Sequence, residues 1–308
     1  MKIAVFCYSQ TGQALQVAHS IFPPNILSEN DSVKYKSIVP LQYYPYPWSS
    51  YEFFDTFPET RLGLPPSGIE TIDFTDVLEA DIVVIVGQSW FLSPSLPLQS
   101  FFADEQVKKY LHGREIIFIN VCRNMWLMTI RWLKCYCQGI GAHLAGHIVF
   151  QDKAPNLVSV ATVIRWLMYG KKDATSFLPS AGISNNEIIE AKRFGNIIKD
   201  NFEKGNINQL QESLLTEGAI LYKPSILHIE KIGHRIFGYW ANFIRKKGGF
   251  RDRRRITRVY AFYCYLVFVL FFVSPFVQLF FYITYPFQNV NNKKKLDCSV
   301  YNNMIKIK

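Results

Sequence analysis

Residues 2–20 read KIAVFCYSQTGQALQVAHS, and this stretch decides the fold. Ile3, Val5 and Phe6 make Lys2 to Tyr8 a short apolar run. Ser9, Gln10, Thr11, Gly12 and Gln13 follow directly and open onto a helix-compatible stretch through Ser20. A buried strand that stops at a hydroxyl-rich turn containing Gly, then starts a helix, aims several backbone N–H groups and two hydroxyls at one point. That is a phosphate cradle. It has neither the Lys of a Walker loop nor the three glycines of a dinucleotide-binding turn, so its donors are uncharged. The competing use of such residues is ordinary helix capping.

Working outward, further apolar runs fall at about Val33 to Val39, Asp81 to Gly87, Glu115 to Cys122 and about Ala145 to Phe150, separated by stretches with helical spacing. Five strands alternating with helices predict an α/β fold with a parallel sheet. Right-handed crossovers suit the doubly wound order 2-1-3-4-5, which puts ligand loops at the carboxyl ends of the strands flanking the first. Those loops are Ser9 to Gln13, Gln88 to Pro97 and Arg123 to Trp126.

The uncharged turn in this setting resembles the flavodoxin pattern, which implies flavin mononucleotide (FMN) held at its phosphate by Ser9, Gln10, Thr11, Gly12 and Gln13. The second loop, QSWFLSPSLPLQSFF, resembles the loop that holds the flavin ring in flavodoxins and quinone reductases. Trp90 and Phe91 are its stacking candidates, with core packing of an apolar loop as the alternative. Arg123 and Asn124 lie in the third loop. Arg123 is placed either to oppose charge on a reduced flavin or to pair with a surface carboxylate. Ala14 stands where the flavodoxin motif usually has a Thr hydroxyl, a departure that weakens the cradle.

Between the second strand and Leu62 lies LQYYPYPWSSYEFFDTFPETRL, with eight aromatics from Tyr43 to Phe57. A segment this long and apolar is no simple connection. Residues 40–65 read either as a wall for a large apolar substrate or as a homodimer interface, with Glu52, Asp55, Glu59 and Arg61 as their polar chemistry. Asp55 and Glu59 are the candidate general bases, because a carboxylate among aromatics is pushed toward neutral pH by desolvation. Arg61 is the candidate to polarise a ring carbonyl. Structural ion pairing is the alternative for all three.

The flavodoxin-like domain is expected over residues 1–205, with an extra segment at 152–182 containing an apolar helix from Leu157 to Tyr169. Ser184 and Glu187 are spaced as a capping box before a closing helix through Ile198. A helical extension occupies 206–258. The net charge of +10 and pI near 9.2 call for an acidic counterpart. Arg245, Lys246, Lys247, Arg251, Arg253, Arg254, Arg255 and Arg258 crowd immediately before Val259 to Asn292, a stretch without a single charge. That distribution points to membrane lipid rather than nucleic acid, at the cytoplasmic face of the membrane. The apolar segment 259–292, interrupted by Pro275, is long enough to span a bilayer or to dip in and return, and 293–308 is a basic tail. Lys2 leads straight into a strand, so no signal peptide is expected. The six cysteines have no paired spacing, so they are expected as reduced thiols without metal.

The SQTGQ turn, the PYPWSSYEFFDTFPET insert, the QSWFLSPSLPLQSFF loop and the AGISNNEIIEAKRFG helix start together resemble the flavodoxin-like dialkylresorcinol-condensing enzymes of bacterial aryl-lipid and flexirubin-type pathways. The resemblance implies oxidation of a 2,5-dialkylcyclohexane-1,3-dione to a resorcinol with FMN, beside a ketosynthase partner that makes the dione. Two other classes stay open: a membrane-attached NAD(P)H quinone or flavin reductase, and a non-catalytic partner of the ketosynthase.

Overall fold

The computed structural model describes residues 1–23, 31–221 and 224–284. Its strands are β1 (Lys2–Cys7), β2 (Ser32–Ser37), β3 (Ile82–Trp90), the two-residue β4 (Ser93–Pro94), β5 (Glu115–Cys122) and β6 (His143–Gln151). The parallel order is β2-β1-β3-β5-β6, with β4 antiparallel to β3. This is the doubly wound order expected from the sequence. Ile82 to Val86 and Ile116 to Ile119 are buried at every position, so helices cover both sheet faces. Only continuous apolar runs such as IVVIV and IIFI satisfy that demand.

The helices are α1 (Gln13–Ile21), α2 (Ser50–Asp55), α3 (Phe57–Leu62), α4 (Leu96–Ala103), α5 (Glu105–Leu111), α6 (Leu127–Ile140), α7 (Asn156–Tyr169), α8 (Asn185–Glu190), α9 (Lys192–Glu203), α10 (Leu210–Thr216), α11 (Pro224–Arg245), α12 (Ile256–Phe268) and α13 (Ser274–Thr284). The closing helix of the sequence reading is thus two, meeting at the buried Ala191. Gly195 lets α9 ride directly on α1, because a Cβ there would lie 2.1 Å from the Ile21 carbonyl oxygen.

β3 runs three residues past its expected end, because it folds back as a hairpin onto β4, pairing Trp90 with Ser93. The two turn residues, Phe91 and Leu92, both have positive φ, 46° and 63°. Such a turn ordinarily takes Asn-Gly, and non-glycine residues there cost about 1–3 kcal/mol each. Aromatic packing offsets the cost: Phe91 lies 4.9 Å from Phe53 and 5.3 Å from Phe57, centroid to centroid.

The extension is continuous with the core rather than an appendage. Leu210, Leu214, Ala219, Ile220 and Leu227 belong to the main core, and the Val149 N–H donates to the Ala219 carbonyl at 2.8 Å along the β6 edge. The boundary at Val259 likewise cuts through a packed helix. Val259 and Phe262 are buried with Phe54, Phe57, Ala241 and Ile244 in a second core between the insert and α11, where Phe57 and Phe262 stack at 3.7 Å. From Arg253 to Thr284 the chain is one run of 32 helical residues, the one helix among the described residues long and apolar enough to cross a membrane. A single π-turn, Val269–Val273, sits just before Pro275, where the missing N–H breaks the regular hydrogen-bond ladder. No reversal occurs in it up to Thr284. The basic tail 293–308, Cys298 and the last residues of the apolar segment lie outside the described residues.

Candidate functional site

The turn after β1 is open at its tip and tied down at its sides. Gly12, at φ +81°, is the N-cap of α1 and receives no side-chain cap. The first helical bond is donated by the Gln16 N–H to the Gly12 carbonyl at 3.1 Å, and Ser9 Oγ accepts from the Leu15 N–H at 3.3 Å. The N–H groups of Gly12, Gln13 and Ala14 precede both, at the positive end of the helix. A Cβ at Gly12 would meet nothing within 4 Å, so the space above the turn is free. Thr11 is half-buried and its hydroxyl makes no hydrogen bond among the described residues.

Two of the five predicted phosphate ligands have other work. The Gln10 amide donates to the carbonyls of Tyr44 at 3.2 Å and Pro45 at 2.9 Å, and its oxygen accepts from the Tyr8 hydroxyl. Gln13, buried, pairs with both backbone groups of Ile183, at 2.8 and 2.9 Å. These side chains lash the turn to the insert and to the segment after α7. The backbone N–H groups with the Ser9 and Thr11 hydroxyls remain as donors.

At the carboxyl ends of β3 and β5, Gln88 Oε1 and Asn124 Oδ1 are buried with no hydrogen-bond partner, as are the Tyr44 hydroxyl in the insert and Ser95 Oγ and Gln99 Oε1 around α4. Buried acceptors are nearly always satisfied in folded proteins, so the unpaired ones at the carboxyl ends of strands, where doubly wound sheets hold ligands, are candidates to meet a ligand. The set fits FMN: uncharged donors for the phosphate, and two amide acceptors for the N–H edge of a flavin ring.

The predicted stacking residues are differently placed. Trp90 is buried edge-on against Tyr8, Tyr44 and Trp48, at 6.2, 5.6 and 5.8 Å, while Phe91 is held in the Phe53, Phe54 and Phe57 cluster. Both rings are packed against protein aromatics. Arg123 and Asn124 both bond the Asn156 side chain, at 2.8 and 2.9 Å, at the start of α7. Burial brings the Arg123 pKa down to about 10, with Asp152 acting in the opposite direction. The other end of α7 receives the Trp48 N–H on the Leu167 carbonyl at 2.8 Å. Helix α7 therefore bridges the loop after β5 and the insert.

The insert folds as two short helices, α2 beginning with a full capping box between Ser49 and Glu52. Asp55 and Glu59 are both buried and both face Arg255, which is wholly buried. Arg255 Nε donates to Asp55 at 2.6 Å, and its two Nη groups donate to Glu59 at 2.7 and 2.9 Å. Arg245 adds a contact to Glu59 at 2.9 Å and the Arg251 N–H one to Asp55 at 2.8 Å. Burial disfavours the Arg255 charge, but its hydrogen bonds to Glu59 and Asp55 outweigh this and raise its pKa. The two carboxylates thus stand in a structural ion-pair network, the alternative to their reading as general bases. Arg61 donates Nε and Nη2 to the His234 carbonyl at 2.9 and 2.7 Å. Arg245 and Arg255, read from the sequence as part of a juxtamembrane cluster, are inward-facing struts.

A cavity of about 500 Å³ opens beside this network, lined by Gln42, Glu59, Leu64, Pro65, Pro66, Arg245, Phe250 and Arg251. A much narrower one lies across Phe250 and Arg251, against Tyr44, Trp48 and Tyr51. One further acid escaped the sequence reading. Glu230 of α11, buried, accepts the N–H groups of Leu127 and Met128 at 3.2 and 2.8 Å and so caps α6 from a distant helix. Burial raises its pKa to about 7 against those backbone bonds. Only its partner identifies it, and the partner is about a hundred residues away.

No protein-family model matches the chain, and no curated protein matches it. The parallel strand order is that of the flavodoxin-like fold, and the solved structures the chain is similar to include flavodoxins and azoreductases. A flavodoxin from the domain Archaea is 13% identical at a TM-score of 0.38, covering 66% of this chain and 99% of that one. The flavodoxin WrbA-like protein of Agrobacterium tumefaciens is 9% identical at 0.35, covering 65% and 97%. RosB with a bound intermediate is 9% identical at 0.34, covering 72% and 90%. Likenesses this low carry nothing about cofactor or chemistry, which rest on the turn and its surroundings.

Proposed function

We propose that this chain is a membrane-associated, FMN-dependent oxidoreductase that aromatises a 2,5-dialkylcyclohexane-1,3-dione to a dialkylresorcinol. The observation that carries the flavin reading is the open Gly12 turn together with unpaired buried acceptors, Gln88 Oε1 and Asn124 Oδ1, at the carboxyl ends of β3 and β5. The backbone N–H groups of Gly12, Gln13 and Ala14, with the Ser9 and Thr11 hydroxyls, would hold the phosphate. Bound FMN supplies a two-electron acceptor, and the substrate ring gives up a hydride and a proton to become aromatic.

What supports the dione as substrate is the concentration of aromatics in the insert, eight from Tyr43 to Phe57. A cyclic 1,3-dione is a vinylogous acid whose enolate forms without a strong base. Commitment of Asp55 and Glu59 to Arg255 is therefore compatible with the reaction. Membrane attachment through the apolar helix would bring the protein to an alkylated substrate, and a ketosynthase that makes the dione is the proposed partner.

The test is the visible spectrum of the detergent-purified protein after FMN addition, followed by incubation with a synthetic dialkyl dione and assay for resorcinol. Bound flavin and resorcinol formation are expected. A colourless protein would leave the non-catalytic ketosynthase partner, and fast NADPH-dependent quinone reduction without resorcinol would leave the reductase.

A further inference from the structure

We propose that the helix from Arg253 to Thr284 lies in the plane of one membrane leaflet instead of crossing the bilayer. This rests on the membrane attachment proposed above and adds its geometry. At 1.5 Å per residue the 32 residues extend about 48 Å, against about 30 Å of hydrocarbon. Length alone would permit a tilted span. The packing opposes one.

One side of the helix is committed to the protein at both ends. Near its start, Val259 and Phe262 are buried in the second core. Near its end, Phe281 is buried with its ring 5.4 Å from His228, and the Tyr282 hydroxyl is 3.4 Å from Ser225 Oγ. The helix therefore runs back antiparallel along α11, and α11 is fixed to the domain by Leu227 in the main core and by Glu230 on α6. Thr284 lies beside the folded domain, so passing the helix through a bilayer would drag that flank of the domain into hydrocarbon.

The opposite side is a row of exposed rings and aliphatics at helical spacing: Tyr260, Phe268, Phe272, Phe276, Phe280 and Ile283, all between 48% and 72% exposed. Val259 to Thr284 contains no charge, whereas a protein interface carries a hydrogen bond every 100–200 Å² and a polar rim. Lys246, Lys247, Arg253 and Arg254 are exposed at the turn that feeds the helix, placed for the phosphates of anionic lipid. An apolar stripe with bases at its margin fits the surface of an anionic bilayer.

The experiment places one epitope tag before Met1 and another after Lys308 of the full chain, and reads protease accessibility in sealed membrane vesicles of known sidedness. Both tags are expected on the same side. Tags on opposite sides would establish a span and overturn the proposal. Partition of the purified protein onto phosphatidylglycerol vesicles is measured alongside, for wild type and for Phe272→Glu with Phe276→Glu. The double variant is expected to bind at least tenfold more weakly with an unchanged circular dichroism spectrum. Unchanged binding would refute the docking face. A wild-type protein that stays off vesicles and cell membranes would overturn the membrane reading itself, and a soluble dimer dissolved by the double variant would assign the face to a second copy.

Discussion

Replacing Arg255 by Met tests what holds the C-terminal helices to the flavodoxin-like domain, and with it the role of Asp55 and Glu59. The side chain is wholly buried and donates to both carboxylates and to the Asp55 carbonyl. Removing one partner of a buried ion pair costs about 3–5 kcal/mol, because the charge left behind is neither solvated nor compensated. Here the remaining contacts, Arg245 to Glu59 and the Arg251 N–H to Asp55, place the expected loss near the lower end, about 3 kcal/mol. That is more than a hundredfold in the folding equilibrium, and a large share of a typical 5–15 kcal/mol. Denaturant unfolding in detergent, followed by circular dichroism, measures it. The control is the triple replacement Asp55→Leu, Glu59→Leu and Arg255→Met. Exchanging the whole network for apolar groups removes the stranded charges, so this protein should recover to within about 1 kcal/mol of wild type. It should also retain dione turnover. A single variant that loses less than about 0.5 kcal/mol, or a stable triple variant without turnover at normal flavin content, would refute the structural role and return the carboxylates to catalysis.

Thr11→Val should weaken FMN binding at least tenfold with folding unchanged, since a hydrogen bond to a charged phosphate oxygen is worth about 1.5–3 kcal/mol; flavin titration by fluorescence quenching reads it, and equal affinity would remove Thr11 from the cradle. Glu230, at about 7 folded against an ordinary 4.5, makes the folded state hold the extra proton between those values, so stability should fall as pH rises from about 4.5 through 7. Glu230→Gln should flatten that fall, compared with wild type at matched pH because His234, lowered to about 4 by burial and then by Arg61 and Arg131, acts oppositely below pH 6.5. Ending the chain before Val259 should destabilise the protein by uncovering Phe54, Phe57 and Ile244, whereas ending it after Phe268 should leave the domain folded and release it from membranes; equal thermal stability of the two truncations would deny the second core.

The sequence alone determined the sheet. Runs such as IAVFCY, IVVIVG and IIFINVC become strands wherever they are buried on both faces, and right-handed crossovers between them suit the doubly wound order that the structure has. The turn after β1 was legible for the same reason. Strand, turn and helix start lie within about fifteen consecutive residues, so their mutual geometry is local. Side chains whose partners are distant were not legible. Gln10 and Gln13 look like phosphate ligands beside Thr11, yet their amides are taken by Tyr44, Pro45 and Ile183. Asp55 and Glu59 among aromatics look like desolvated bases, yet their counterion is Arg255, about two hundred residues on. Arg255 itself reads as one more base in a juxtamembrane cluster. A charge pattern along the chain records how many charges there are and in what order. Which of them meet in a low-dielectric interior, and which stay in water, is set only when α11 and α12 fold back onto the insert.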